Sequence, residues 1–136
     1  MPTLRLVNVT KSFGNITAID HINLEIHDGE YLCILGPTGS GKTTLLRLIA
    51  GILKPDEGEI YIDGKLVNDV PPQERGVAYM PQQYALFPHL RVVENVSFGP
   101  LAKGVSKSEA TQISMEMLKM TRLAWRADSF PGELSG

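Results

Sequence analysis

The chain has 136 residues, 43% of them hydrophobic and 21% charged, with a formal net charge of -2, which suits one globular domain able to bury about two thirds of its unfolded surface. The two signs of charge are interspersed and there is no basic run, which argues against DNA or RNA as a partner. No apolar run approaches 18 residues, residues 1–14 lack the unbroken apolar centre of a signal peptide, and the single cysteine, Cys33, excludes an internal disulfide, so the chain reads as cytosolic.

Taken in order, Leu4, Leu6 and residues 7–9 give a first strand, and Ile22, Leu24 and Ile26 alternate within a second over 18–26. Asp28-Gly29 turns the chain into Tyr31-Leu32-Cys33-Ile34-Leu35, an apolar run of strand length that is expected to be buried, with Cys33 as core filler. The next eight residues, Gly36-Pro37-Thr38-Gly39-Ser40-Gly41-Lys42-Thr43, fit the template G-x-x-x-x-G-K-[ST] at every fixed position. Leu45, Leu46, Leu48 and Ile49 then recur at helical spacing up to Gly51, with Pro55 beyond as a stop. Over 58–67, Asp63-Gly64 between two strand-like runs predicts a tight hairpin.

After Pro71-Pro72, residues 76–80 read as another core strand with a polar exit at Pro81-Gln82-Gln83. The pattern then becomes helical: one short segment over 92–98 is expected to break at Gly99-Pro100. A second helix opens on the capping box Ser106-Lys107-Ser108-Glu109. Its core face is expected to carry Ala110, Ile113, Met117 and Met120. Residues 128–136 are turn-rich, and no repeat, low-complexity segment or linker divides the chain.

The eight-residue template has a physical meaning. A phosphate needs donors, and Gly36, Gly39 and Gly41 allow positive φ and close backbone approach, so that successive N–H groups can converge on its oxygens. Lys42 adds a point charge, and the start of a helix adds unpaired N–H groups and a favourable dipole. The Thr43 hydroxyl is placed to ligate Mg²⁺ between the outer phosphates, with Thr44 as a second candidate. Pro37, Thr38 and Ser40 complete the loop, and the segment is read as a nucleotide site with Mg²⁺.

Beyond this loop, the whole chain resembles the first part of an ATP-binding cassette (ABC) transporter ATPase subunit. Thr10-Lys11-Ser12-Phe13-Gly14 resembles the segment whose aromatic residue stacks on adenine, which gives Phe13 that role, with Phe in place of the more usual Tyr. Residues 36–43 match the Walker A loop. Met80-Pro81-Gln82-Gln83-Tyr84 and the following Ala85-Leu86-Phe87-Pro88-His89-Leu90 resemble the Q-loop region, in which a glutamine reaches Mg²⁺ and the attacking water; the resemblance assigns Gln82 there, and Gln83 less directly. Together with Val93-Glu94-Asn95-Val96-Ser97-Phe98-Gly99, that stretch is most similar to importers of sugars, polyamines, iron or oxyanions. Leu134-Ser135-Gly136 resembles the opening of the signature motif that caps nucleotide held by a second ATPase subunit.

The resemblance implies an α/β fold: a partial P-loop NTPase core with an antiparallel β subdomain over residues 1–87 and the start of a helical subdomain over 88–136. It also implies transmembrane permease partners, a head-to-tail ATPase dimer, and a cytoplasmic location at the inner face of the membrane. Catalytic roles fall to Lys42 and Gln82, and metal contacts to Thr43 and Gln82. The family's Walker B strand, its acidic residues and its sensor histidine have no match in the 136 residues; Ile60-Tyr61-Ile62-Asp63 is explained as the hairpin. The chain by itself is therefore expected to bind ATP without sustained turnover, as a fragment of a longer subunit or a non-hydrolysing interaction module, and to leave residues 31–35 with an unpaired apolar edge. Residues 82–99 argue against a cassette protein of DNA repair or translation.

Overall fold

Two antiparallel hairpins and one helix make the part of the chain that carries the glycine loop. A computed structural model describes residues 3–135, which divide into two compact units, Met1–Tyr79 and Met80–Gly136. In the first unit, strands β1 (Leu4–Phe13), β2 (Ile16–Ile26), β3 (Glu57–Ile62) and β4 (Lys65–Leu66) form an antiparallel sheet in the order β2-β1-β3-β4. Asp63 and Gly64, at φ 52° and 76°, form the two-residue hairpin turn whose twist suits the strands it joins. Helix α1 (Lys42–Ala50) lays Leu45 and Leu48 on this sheet, against Leu6, Val9, Ile19, Ile60 and Val67. The alternation of strand residues and the i, i+3 spacing on the helix thus meet in one apolar core.

The β1–β2 ladder is not continuous, and side chains replace its missing bonds. The register shifts between Leu6 and Val9, where Asn8 and, on β2, His21 adopt φ 49° and 47°. The Asn23 Oδ1 accepts from the Asn8 N–H at 3.0 Å, Asn23 Nδ2 donates to Asn8 Oδ1 at 2.9 Å, and the His21 N–H donates to Thr10 Oγ1 at 3.0 Å. Such a bulge twists the strand without leaving orphan donors. Gly58 fits beside it because a Cβ there would lie 2.4 Å from the Asn8 carbonyl oxygen.

In the second unit, α2 (Val92–Ala102) packs antiparallel to α3 (Lys107–Met120) through a small core of Val92, Leu118 and Ala127. The chain after α3 returns to the start of α2, where the Val92 and Val93 N–H groups donate to Ser129 O (2.8 Å) and Ala127 O (3.0 Å). Two of the otherwise orphan donors of that helix end are thereby satisfied.

Four expectations from sequence are corrected. Residues 31–35 and 76–80 form no strand, and Tyr31, Leu35 and Met80 are 94%, 88% and 82% exposed; Cys33 is exposed too, not core. A strand exists through its ladder, and among the described residues no neighbour pairs with either run. Helix α2 does not break at Gly99-Pro100 but runs to Ala102. Pro100 removes one helix bond near the end, and the turn is closed beyond it by the Lys103 N–H on Gly99 O at 3.2 Å. On α3 the buried face is Ala110, Ser114 and Leu118, while Met117 and Met120 face solvent. Ser114 can lie in that seam because its hydroxyl donates to Ala110 O at 2.7 Å.

Asp56 locks the end of β1: its carboxylate accepts from the Ser12 N–H at 2.7 Å and from Lys11 Nζ at 3.1 Å. The first of these bonds, then the second, hold its pKa below the ordinary carboxylate value. A depressed folded-state pKa means stability that is present above the unfolded value near pH ~3.9 and lost as pH falls through the folded one. Urea denaturation should therefore show Asp56→Asn less stable than wild type at pH 7, with the difference shrinking as the pH is taken below about 4. A pH-independent difference would contradict this assignment.

Candidate functional site

The glycine loop shows why it needs its residue types. Gly39 and Gly41 sit at φ 85° and 91°, in the left-handed region that side chains disfavour. Gly41 is also pressed against β2, where an added Cβ would meet Ala18 O at 2.4 Å; a Cβ on Gly36 would meet Ser40 Oγ at 2.6 Å. The Ser40 N–H donates to Pro37 O at 3.2 Å, closing a turn that contains Thr38. Helix α1 starts at Lys42 with Gly41 as its N-terminal boundary and no side-chain cap. The N–H groups of Lys42, Thr43 and Thr44 thus open the helix with the donors that helix geometry leaves unpaired, and the positive end of the dipole coincides with them.

Lys42 folds back over the loop. Its ammonium donates to Gly36 O, to Pro37 O at 2.8 Å and to Ser40 Oγ at 3.1 Å, three acceptors for the three protons an ammonium carries. The charge is therefore held at the mouth of the loop rather than out in solvent. Thr43, in the first turn, is exposed, and Thr44 is half-buried.

The other candidate residues lie in three places. Phe13 ends β1 and is 47% exposed, with Lys11 Nζ 5.5 Å from its ring centroid. It pairs with Ile16, two residues before Ala18 on β2, so it is about 7 Å along that strand from the residue Gly41 abuts. The sheet thus brings an exposed aromatic face and the glycine loop to the same end of the first unit. Gln82 and Gln83 lie in an exposed irregular segment of the second unit. Leu134 packs on the Val92, Leu118 and Ala127 cluster, Ser135 is exposed, and Gly136 lies outside the described residues.

Two residues important to this geometry were not picked out from sequence. Asn95 clamps the segment after Gln83: its side chain accepts from the Phe87 N–H at 2.8 Å and donates to Phe87 O, Leu90 O and Arg91 O, each at 3.1 Å. The ring of Phe87 stacks obliquely on Phe98 at 4.7 Å. Arg75, 6% exposed, donates to the carbonyl end of α1. An Asn inside a helical pattern and an Arg after a Pro-rich turn were the only signals, and neither specifies a partner.

The fit to nucleotide rests on the loop: left-handed glycines that leave room for an anion, an uncapped helix start and a lysine over its mouth. Among the described residues no three His, Cys, Asp or Glu side chains cluster to hold a metal. A hard cation here would instead depend on the Thr43 hydroxyl together with phosphate oxygens and water, in keeping with the preference of Mg²⁺. Among the described residues no helix is long and apolar enough to cross a membrane.

The arrangement is that of a phosphate-binding nucleotide cassette. The ABC transporter family model matches residues 19–136, and the chain belongs to that family. It is 47% identical over 133 residues to the spermidine/putrescine import ATP-binding protein PotA of Rubrobacter xylanophilus, covering 98% of this chain and 35% of that protein. It is 47% identical to the Fe(3+) ions import ATP-binding protein FbpC of Escherichia coli O157:H7 (98% and 38%), and 44% identical to the maltose/maltodextrin import ATP-binding protein MalK of Escherichia coli K12 (100% and 37%). The chain thus spans little more than a third of the length of these relatives. Among solved structures, the dimeric ATP-binding cassette MJ0796 bound to ADP and Pi superposes with a TM-score of 0.86 at 37% identity, covering 97% of this chain and 63% of that one. A nucleotide-free cassette from an ABC transporter gives 0.83 at 30% identity, covering 99% and 60%.

The two glycines separate strain from collision. Gly39→Ala, whose Cβ would meet nothing within 4 Å, should lose about 1–2 kcal/mol for its left-handed backbone alone. Gly41→Ala adds the clash with Ala18 O and should lose distinctly more, measured by urea unfolding. Equal losses would show that the approach of the loop to β2 is not a constraint.

Proposed function

We propose that this chain is the nucleotide-gripping part of an ABC importer ATPase, in which ATP binding and hydrolysis drive solute entry. The observation that carries the reading is the uncapped N-terminus of α1, with Gly39 and Gly41 left-handed and Lys42 folded over the loop. Triphosphate would sit on the N–H groups of residues 39–44, with Gly36, Pro37, Thr38 and Ser40 shaping the loop. Lys42 would exchange loop acceptors for phosphate oxygens. Charge-assisted hydrogen bonds are among the strong ones, at about 1.5–3 kcal/mol each. Phe13 would stack on the base. Mg²⁺, reached by the Thr43 hydroxyl, would neutralise charge between the outer phosphates. Phosphoryl transfer is mostly positioning and electrostatics, and these residues supply the positioning of the leaving side.

Gln82, followed by the exposed residues Tyr84, Leu86 and Phe87, is read as the link to membrane-embedded permease subunits. Leu134, Ser135 and Gly136 are read as the start of the surface offered to nucleotide on a second ATPase subunit. The division into a nucleotide core over 1–87 and a helical part over 88–136 belongs to the same reading. So does a cytoplasmic place at the inner membrane face, held there by partners. The import names shared by the relatives PotA, FbpC and MalK support import as the direction.

Calorimetric titration of the full-length protein with Mg-ATP tests this. Lys42→Ala should weaken binding about 10- to 100-fold, the loss of one charge-assisted contact. Phe13→Ala should weaken ATP binding about 2- to 10-fold, as loss of an aromatic stack does, while leaving inorganic pyrophosphate binding unchanged. Wild-type affinity in Lys42→Ala would reject the phosphate site; equal losses for ATP and pyrophosphate in Phe13→Ala would reject the base contact.

A further inference from the structure

Arg75 is buried without an acidic partner. It makes no ion pair among the described residues, yet its guanidinium makes four hydrogen bonds to backbone oxygens. Nη1 donates to Leu48 O and Ile49 O at 3.1 Å each, Nε donates to Val70 O at 2.8 Å, and Nη2 reaches Asn68 O at 3.5 Å. Leu48 and Ile49 lie in the last turn of α1, where carbonyls run out of helix partners.

The local chain meets the carbonyls of Arg47 and Leu48 at that helix end. Gly51, at φ 83°, donates its N–H to Leu48 O at 3.2 Å, and the Ile52 N–H donates to Arg47 O at 3.0 Å, the usual left-handed closure. Ile49 O is left to Arg75. Gly51 is itself fitted to the arginine, since a Cβ there would lie 2.5 Å from Arg75 Nε. A buried cation thus stands on the negative end of the helix dipole, tied on its other side to Asn68 and Val70.

Helix α1 has only nine residues, a rod of about 13 Å. Its other end is the glycine loop, so a tilt at the carbonyl end displaces the N–H groups at the loop. A site of this kind loses binding when its donors move by about 1 Å. We propose that Arg75 is a positioning residue for the phosphate loop: by holding the carbonyl end of α1 to the 68–70 segment it fixes where the donors of residues 41–44 point. Arg75 touches no phosphate in this scheme and acts only through the helix. The inference rests on the reading of residues 36–44 as a phosphate site.

The test uses the full-length protein with Arg75→Met, which keeps an apolar stem but no donors, and Arg75→Lys, which keeps the charge and part of the donor set. Mg-ATP affinity is measured well below each melting temperature, alongside wild type and Lys42→Ala, and amide hydrogen exchange is followed without nucleotide. Arg75→Met should bind Mg-ATP about tenfold more weakly although folded, and Arg75→Lys should recover part of that loss. Exchange at residues 41–51 should quicken in both variants while the β1–β2 amides keep wild-type rates. A folded Arg75→Met with affinity within twofold of wild type would overturn the proposal; should that variant not fold, unchanged affinity and exchange in Arg75→Lys would do so. If wild type itself binds no Mg-ATP, the nucleotide reading fails on its own. Exchange at residues 41–51 then decides whether Arg75 holds the helix: quickened exchange upholds that role and unchanged exchange overturns it.

Discussion

The burial of Leu45 and Leu48 against Leu6, Val9, Ile19 and Ile60 is the constraint on which the first unit depends. It fixes one face of α1 to the sheet, and a helix fixed along its side must present its two polar ends somewhere. At the N-terminal end the donors are left without a side-chain cap and the chain enters through left-handed glycines, which is where a phosphate would be met. At the C-terminal end the carbonyls of Arg47, Leu48 and Ile49 are met by Gly51, Ile52 and Arg75. One end is closed by the protein itself, and the other is open to an anion. On the proposed reading, that asymmetry is what would let an ordinary amphipathic helix receive a phosphate.

The sheet contributes by placement rather than chemistry. The β1–β2 hairpin brings Phe13 to the end of the unit where Gly41 meets Ala18, and Asp56 holds the last residues of β1 in line through Ser12 and Lys11. The bulge at Asn8 and His21 gives the strands their twist while Asn23 and Thr10 replace the lost ladder bonds. In the second unit Asn95 does comparable work, tying residues 87–91 together with four hydrogen bonds at one side chain. The exposed segment that includes Gln82 thus runs into a rigid anchor.

Local chemistry was legible in the sequence, and partnership was not. The glycine loop, the Asp63-Gly64 hairpin, the stop of α1 at Gly51 and the Ser106 cap each depend on residues within a few positions of one another. All four appear in the structure. Residues 31–35 and 76–80 have strand composition, but a strand is made by its neighbour, and no described neighbour pairs with them. The face of α3 went wrong for a similar reason. Methionines at helical spacing suggested a core, but Ser114, able to bond back to its own helix, occupies the seam instead. Arg75 could not be found at all, because the helix carbonyls it holds are 26 and 27 residues away. The resemblance to the family, in turn, rested on the order of several short motifs rather than on any one of them.

The central claim is that the backbone donors of the glycine loop, not a charged side chain alone, receive the phosphates. Amide ¹⁵N–¹H chemical shifts of the full-length protein titrated with inorganic pyrophosphate test it without help from the base. The account expects the largest shifts at Gly39, Ser40, Gly41, Lys42, Thr43 and Thr44, saturating together. Saturable binding that left those six amides unmoved, or no binding in a folded protein, would contradict it.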